Sequence, residues 1–127
     1  MIAAAIPMAE SFAIVQDKNS FGYKMREFLD RFRENPAYHL LEDEPSKLSD
    51  ILNDNGYADA FLAATAAFLA QKHQLPTPKW ASGNSRALEE PHFAAKSHNL
   101  RMVLLQESPA AFRVRNLFVS ANALHRA

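Results

Sequence analysis

The densest concentration of groups able to do chemistry is the run Glu107-Ser108-Pro109-Ala110-Ala111-Phe112-Arg113-Val114-Arg115-Asn116. Arg113 and Arg115 stand two apart beside Asn116, and guanidinium forks of this kind grip a phosphate or a carboxylate. Arg101 is a further cation upstream, and Phe112 or Phe118 could stack on a base. The plainer reading has Arg113 or Arg115 capping carbonyls or pairing with Glu107, with both phenylalanines in the core. It weighs more, because arginine commonly packs its stem while pairing its head. Trp80 has the same two sides: a rigid loop anchor with its ring on the core is favoured over an exposed contact residue. The residues singled out for partner contact are therefore Arg101, Arg113, Arg115, Asn116 and Trp80.

Other chemistries find less support. There are five histidines. His92 and His98, near Glu89 and Glu90, could supply metal ligands, but their spacing fits neither a His-Glu-x-x-His helix nor a zinc finger, and exposed loop histidines explain them better. His73, at the end of a helical segment, reads as a favourable charge near a helix C-terminus. No serine sits in Gly-x-Ser-x-Gly, and three isolated glycines cannot form a phosphate loop. The neighbouring acids at 42–44 and 89–90 lie on polar segments, where carboxylates are ordinarily solvated. No catalytic, cofactor-binding or metal residue is assigned, and an enzyme is not expected. Paired short helices raise the thought of a helix-turn-helix, but neither pair contains a polar, basic recognition helix.

The elements that must position these groups are helical. Alanine, leucine and phenylalanine dominate the apolar set, which favours helices over a sheet. Phe21, Met25, Phe28, Leu29 and Phe32 share one helical face; Ser20 is expected as the N-cap and Asn35-Pro36 as the stop. Ser46 is expected to cap a short helix carrying Leu48, Ile51 and Leu52, and Asn55-Gly56 to stop or kink it. Residues 57–71 are apolar nearly all round and alanine-rich, so they should form a helix buried in the middle of the fold. Leu75-Pro76-Thr77-Pro78 is a stiff extended link. Residues 100–106 read as a helix with Leu100, Val103 and Leu104 inward and Arg101 outward. Ser108-Pro109 should open another, with Pro109 at its first position. Leu117, Phe118 and Val119 are either strand-like or part of a turn, and residues 121–126 should add a last helical turn. The first 18 residues form either a short helix broken at Pro7 or an arm that packs on a neighbouring copy. The expected class is all-α: one domain over 1–127, a compact helical bundle around a buried, alanine-rich central helix.

A chain of 127 residues, 48% apolar and 22% charged, can build its own core and is not a disordered composition. Cysteine is absent, which excludes disulfides, thiolate metal sites and a cysteine nucleophile, and fits a reducing compartment. Net charge is zero, which weighs against a dedicated nucleic-acid binder. The charges are nonetheless segregated. Glu42, Asp43, Glu44, Asp50, Asp54 and Asp59 face only Lys47 in one stretch, whereas Lys96, Arg101, Arg113, Arg115 and Arg126 face only Glu107 in another. Such runs are ordinarily solvated faces; the functional alternative is a basic face for an acidic partner or RNA. No run approaches the ~20 apolar residues of a membrane helix. A cytoplasmic location is expected.

Phe28-Leu29-Asp30-Arg31-Phe32, the alanine-rich 63–70, Leu75-Pro76-Thr77-Pro78-Lys79-Trp80, Glu90-Pro91-His92-Phe93 and residues 100–127 resemble a family of small bacterial proteins of unknown function. The stretch 107–119 is the most specific part, and the likeness runs from about Phe21 onward. Some related sequences are associated with nucleotidyltransferase-like proteins in toxin–antitoxin pairs, so the resemblance implies an antitoxin or accessory role. It carries over no catalytic residue. Val114 stands where relatives tend to have another arginine, which interrupts a continuous basic grip. The expected function is thus a non-enzymatic protein-interaction module, contacting a protein partner or a second copy. An RNA- or nucleotide-binding module on the same arginines is the alternative.

Overall fold

The computed structural model describes residues 6–83, 85–95, 97–120 and 124. The expected last turn at 121–126 lies outside these apart from Leu124, as do the first five residues. The described chain is mostly helical: α1 (Met8–Ser11), α2 (Lys18–Glu34), a 3-10 turn (Tyr38–Leu40), α3 (Ser49–Leu52), α4 (Tyr57–Lys72), α5 (Lys79–Ser82), α6 (His98–Glu107) and α7 (Ala110–Arg113).

The phenylalanine periodicity of α2 does what its spacing dictates: Phe21, Met25, Phe28, Leu29 and Phe32 are all buried. Its cap is Asp17, not Ser20. The Asp17 carboxylate accepts from the Ser20 amide at 2.7 Å, and the Ser20 hydroxyl faces back to the Asp17 amide at 3.3 Å. This is a reciprocal capping box, in which Ser20 is the third helical residue. Before it, α1 starts directly after Pro7, and Met8, Phe12 and Val15 are buried in the chain's own core. The Phe12 ring meets Phe21 at 5.4 Å.

Helix α4 needs tight control of both ends because its middle is apolar. Asn53, Asn55 and Gly56 all have positive φ, reversing the chain out of α3; asparagine and glycine are the residues that tolerate this conformation. The Asp54 carboxylate accepts from the Gly56 amide at 3.0 Å and the Ala58 amide at 2.9 Å, satisfying donors at the helix start. At the other end Gln74 takes the left-handed conformation, and the Leu75 amide reaches back to the Ala70 carbonyl at 2.7 Å. This is a Schellman-type stop built without glycine. Between these ends Ala58, Ala60, Leu62, Ala63, Ala64, Ala66, Leu69 and Ala70 are buried. Helices α3, α5 and α7 pack on α4, whose small side chains allow close approach.

Three expectations need correction. Leu48, not Ser46, precedes α3, and no side chain of its own caps that helix. The segment after Pro78 is a helical turn, α5, rather than loop. Ser108 closes α6 and Pro109 precedes α7, so the proline sits one place earlier than expected. Of the two alternatives for Leu117 and Phe118 the strand-like one holds: β1 (His92–Phe93) and β2 (Leu117–Phe118) form a two-residue parallel ladder beside the helices, pairing His92 with Leu117 and Phe93 with Phe118. The Phe93 and Phe118 rings stack at 4.8 Å.

Candidate functional site

The arginine cluster separates into inward and outward members. Arg115 is buried, 6% exposed. Its Nη1 donates to the Ala111 carbonyl at 2.6 Å and its Nη2 to the Ala81 carbonyl, tying α7 to the end of α5. No carboxylate pairs with it among the described residues, and burial pushes its pKa down. Asn116 has φ 63°, and its Nδ2 donates to the Leu88 carbonyl at 2.7 Å. The backbone carbonyls of Arg115 and Asn116 accept from the Leu88 and His92 amides. These two residues therefore clamp Ala81, Leu88 and His92, with Arg115 buried and Asn116 half-buried in doing so. Arg113 and Arg101 are exposed. Arg113 spans to the Ser108 carbonyl at 2.7 Å, and Arg101 lies over the Phe93 ring at 5.6 Å with Nε on the Ala95 carbonyl. Trp80 is half-buried against the core and donates its indole N–H to the Leu41 carbonyl at 2.9 Å. Phe112 is fully buried and Phe118 nearly so, so neither presents a ring face to a base.

Sequence reasoning missed Arg86. Its side chain is enclosed: Nε and Nη2 lie 3.1 and 3.0 Å from the Glu44 carboxylate, and Nη2 also meets the Pro45 carbonyl. Nη1 is 3.7 Å from Asp59 Oδ1, and the guanidinium sits 5.1 Å over Trp80. Asp59, buried in α4, accepts from the Leu48 amide at 2.6 Å and so supplies the cap that α3 lacks locally. No local pattern marks this network, because Arg86 and Glu44 lie 42 residues apart in the chain.

Helix α6 is the most exposed apolar element. Ser97 caps it, accepting from the Leu100 amide at 3.2 Å. Ser108 anchors its far end. That buried hydroxyl lies 2.6 Å from the Leu104 carbonyl and 2.9 Å from the Val119 carbonyl, donating to one, and it accepts from the Val119 amide at 2.8 Å. Only Leu104 of α6 is buried. Leu100 is 57% and Val103 47% exposed, contrary to the inward placement expected from their spacing, and Met102 and Leu105 are exposed too. The four lie on two sides of the helix, Leu100 and Val103 flanking the buried Leu104 and Met102 and Leu105 opposite, so α6 carries exposed apolar surface on both sides. Arg101 on α6 and Arg113 on α7 are exposed cations at this end of the chain, and Glu107 of α6 is an exposed acid.

Tyr57 and His92 meet with ring centroids 4.5 Å apart, between two open clefts. Burial, with a contribution from the Asp54 charge, pushes the Tyr57 phenol pKa up. A polar cleft of about 580 Å³ holds Lys47, Asp59, Arg86 and Glu89 on one side. A more apolar one of about 690 Å³ lies against α2 on the other. His92 and His98 do not come together in a metal site: among the described residues no group of three His, Asp or Glu side chains could hold an ion. His73 ends α4 with its ring edge-on to Phe32 at 5.3 Å. Among the described residues no helix is long and apolar enough to cross a membrane.

No protein-family model matches the chain, and no curated protein or solved structure matches it.

Proposed function

We propose that this chain is a non-enzymatic protein-interaction module that meets its partner through α6. The observation that carries this reading is the exposure of Leu100, Met102, Val103 and Leu105 on one capped helix. Each such side chain gains about 1.5–3 kcal/mol when fully buried, so their common exposure favours association. Arg101 and Arg113 are the exposed cations beside it, and they suit a partner surface that is apolar with carboxylates at its rim. An antitoxin or accessory role, as the family resemblance implies, is one form of this function. The same reading takes the fold as a bundle with α4 as its central helix, supported by the packing of α3, α5 and α7 on it. It also takes the chain as cytoplasmic, supported by the lack of cysteine.

The test is capture from the native cell with wild-type chain and with Leu100→Glu/Val103→Glu. Both positions are exposed, so the thermal midpoint should stay within a few degrees of wild type while the captured protein is lost. Sedimentation of the purified chain distinguishes a second copy from a different protein. If the double variant keeps every protein the wild type captures, and the same self-association state, the assignment to α6 is wrong.

A further inference from the structure

The apolar cleft of about 690 Å³ lies between the first half of α2, the turn after α3, and α4. Its volume is that of a small-molecule site. The half-buried Leu52 and Phe61 give it an apolar wall, with the buried Phe21, Met25 and Leu29 behind it. Along α2, three lining positions follow one another at four-residue steps: Lys18, Gly22 and Arg26. That spacing keeps them in one row on the helix, with the backbone positions of Lys18 and Arg26 a turn either side of the glycine and about 12 Å apart along the axis, and with the Arg26 guanidinium reaching back over Gly22.

Gly22 is unexplained by the fold itself. It sits inside a helix, where glycine is unfavourable relative to alanine. A Cβ there would meet only the Arg26 guanidinium, at an ordinary 3.7 Å, so no close packing demands its absence. The Arg26 guanidinium lies over the bare position, and apart from it the missing side chain leaves mid-row open toward the cleft. The cations are equally unexplained. Neither Lys18 nor Arg26 is ion-paired among the described residues, and Lys18 stands in the first turn of α2, at the positive end of the helix dipole, with no acid in that turn. The adjacent Asp17 carboxylate is held by the Ser20 amide. The one carboxylate lining the cleft, Asp54, is occupied by two backbone amides.

We propose that this cleft binds a small apolar carboxylate, its head group held beside Gly22 by Arg26 and Lys18 and its hydrocarbon body against Leu52 and Phe61. This site is separate from α6 and stands or falls independently of the interaction function. The probe is octanoate, with 1-octanol as the same chain without charge and acetate as the charge without the chain, followed by calorimetry and by amide shifts of α2. Octanoate should bind, 1-octanol about tenfold more weakly, and acetate not measurably. Gly22→Leu fills the cleft with a better helix former. It should raise the thermal midpoint or leave it unchanged while weakening octanoate at least about tenfold. Lys18→Gln/Arg26→Gln changes only exposed side chains and should bring octanoate down to the affinity of 1-octanol. The proposal is overturned if wild type binds octanoate no better than 1-octanol, if Gly22→Leu binds octanoate as wild type does, or if the double variant keeps its preference for octanoate.

Discussion

Replacing Arg115 by alanine separates a clamp from a grip. The side chain makes two hydrogen bonds to carbonyl oxygens, at Ala111 and Ala81. Bonds of this type to a charged group contribute about 1.5–3 kcal/mol each, so their loss costs on the order of 3–6 kcal/mol. Against that, the guanidinium has no paired carboxylate among the described residues, and removing it relieves an uncompensated desolvation of a few kcal/mol. The net destabilisation should be about 2–3 kcal/mol. For a chain of this size that is a fall of about 8–12 °C in thermal midpoint. Urea unfolding gives the free energy. Native-state hydrogen exchange adds a local readout, because the Leu88 and His92 amides bond to the carbonyls of Arg115 and Asn116 and should lose protection first. Arg113→Ala is the control: an exposed side chain with one bond to the Ser108 carbonyl should cost under about 1 kcal/mol. Had the two arginines formed one exposed grip, both variants would be stable and both would lose the partner. Arg115→Ala unfolding within about 0.5 kcal/mol of wild type would refute the clamp.

Ser108→Ala should cost about 1–3 kcal/mol in urea unfolding, because it leaves the buried Val119 amide without its acceptor. Ala64→Leu should cost about 1–3 kcal/mol by overpacking a fully buried position of α4; an unchanged urea midpoint would show that helix to be loosely packed. The Asp17 carboxyl is held below its ordinary pKa chiefly by the Ser20 amide, with help from the Ser20 hydroxyl. Its contribution to folding is therefore fully present above the unfolded-state pKa and lost as the pH falls through the lower folded value. Asp17→Asn keeps a capping acceptor that does not titrate, so the difference in helicity at 222 nm between wild type and Asp17→Asn should change across that acidic window and stay constant above it.

The elements legible in the sequence are those whose signal is long and local. Helix α2 shows its buried face through about three turns of phenylalanine, methionine and leucine, and α4 shows its burial through its largely apolar composition. Its one buried acid, Asp59, reads in sequence as surface charge; in the fold it caps α3 and faces Arg86. Capping was legible in kind but not in place, since Asp17 and Ser20 are both good caps three residues apart and only backbone geometry decides which leads. The short apolar run at Leu117 leaves strand and turn both open, and its pairing with His92 and Phe93 has no sequence signal, because two residues are too few to show a period. The clamp was hidden for the converse reason. Arg115 and Asn116 do carry the polar groups the sequence advertises, but their partners, Ala81 and Leu88, are backbone atoms far along the chain.

Helix α6 shows why its exposure is a property of its residues as well as of its placement. At about 100° per residue, Leu100, Val103 and Leu104 fall within one arc of about 100°, while Met102 and Leu105 lie on the far side of the helix axis. A helix apolar on both sides needs two surfaces to cover it. The fold covers it at Leu104, where the Ser108 hydroxyl binds the helix end to Val119. No rotation about the axis would bury Met102 and Leu105 without exposing Leu104. Covering them takes a surface beyond the described residues of this chain, and substitutions at Met102 and Leu105 should therefore weaken association while leaving the buried anchor at Leu104, and with it the folded stability, intact.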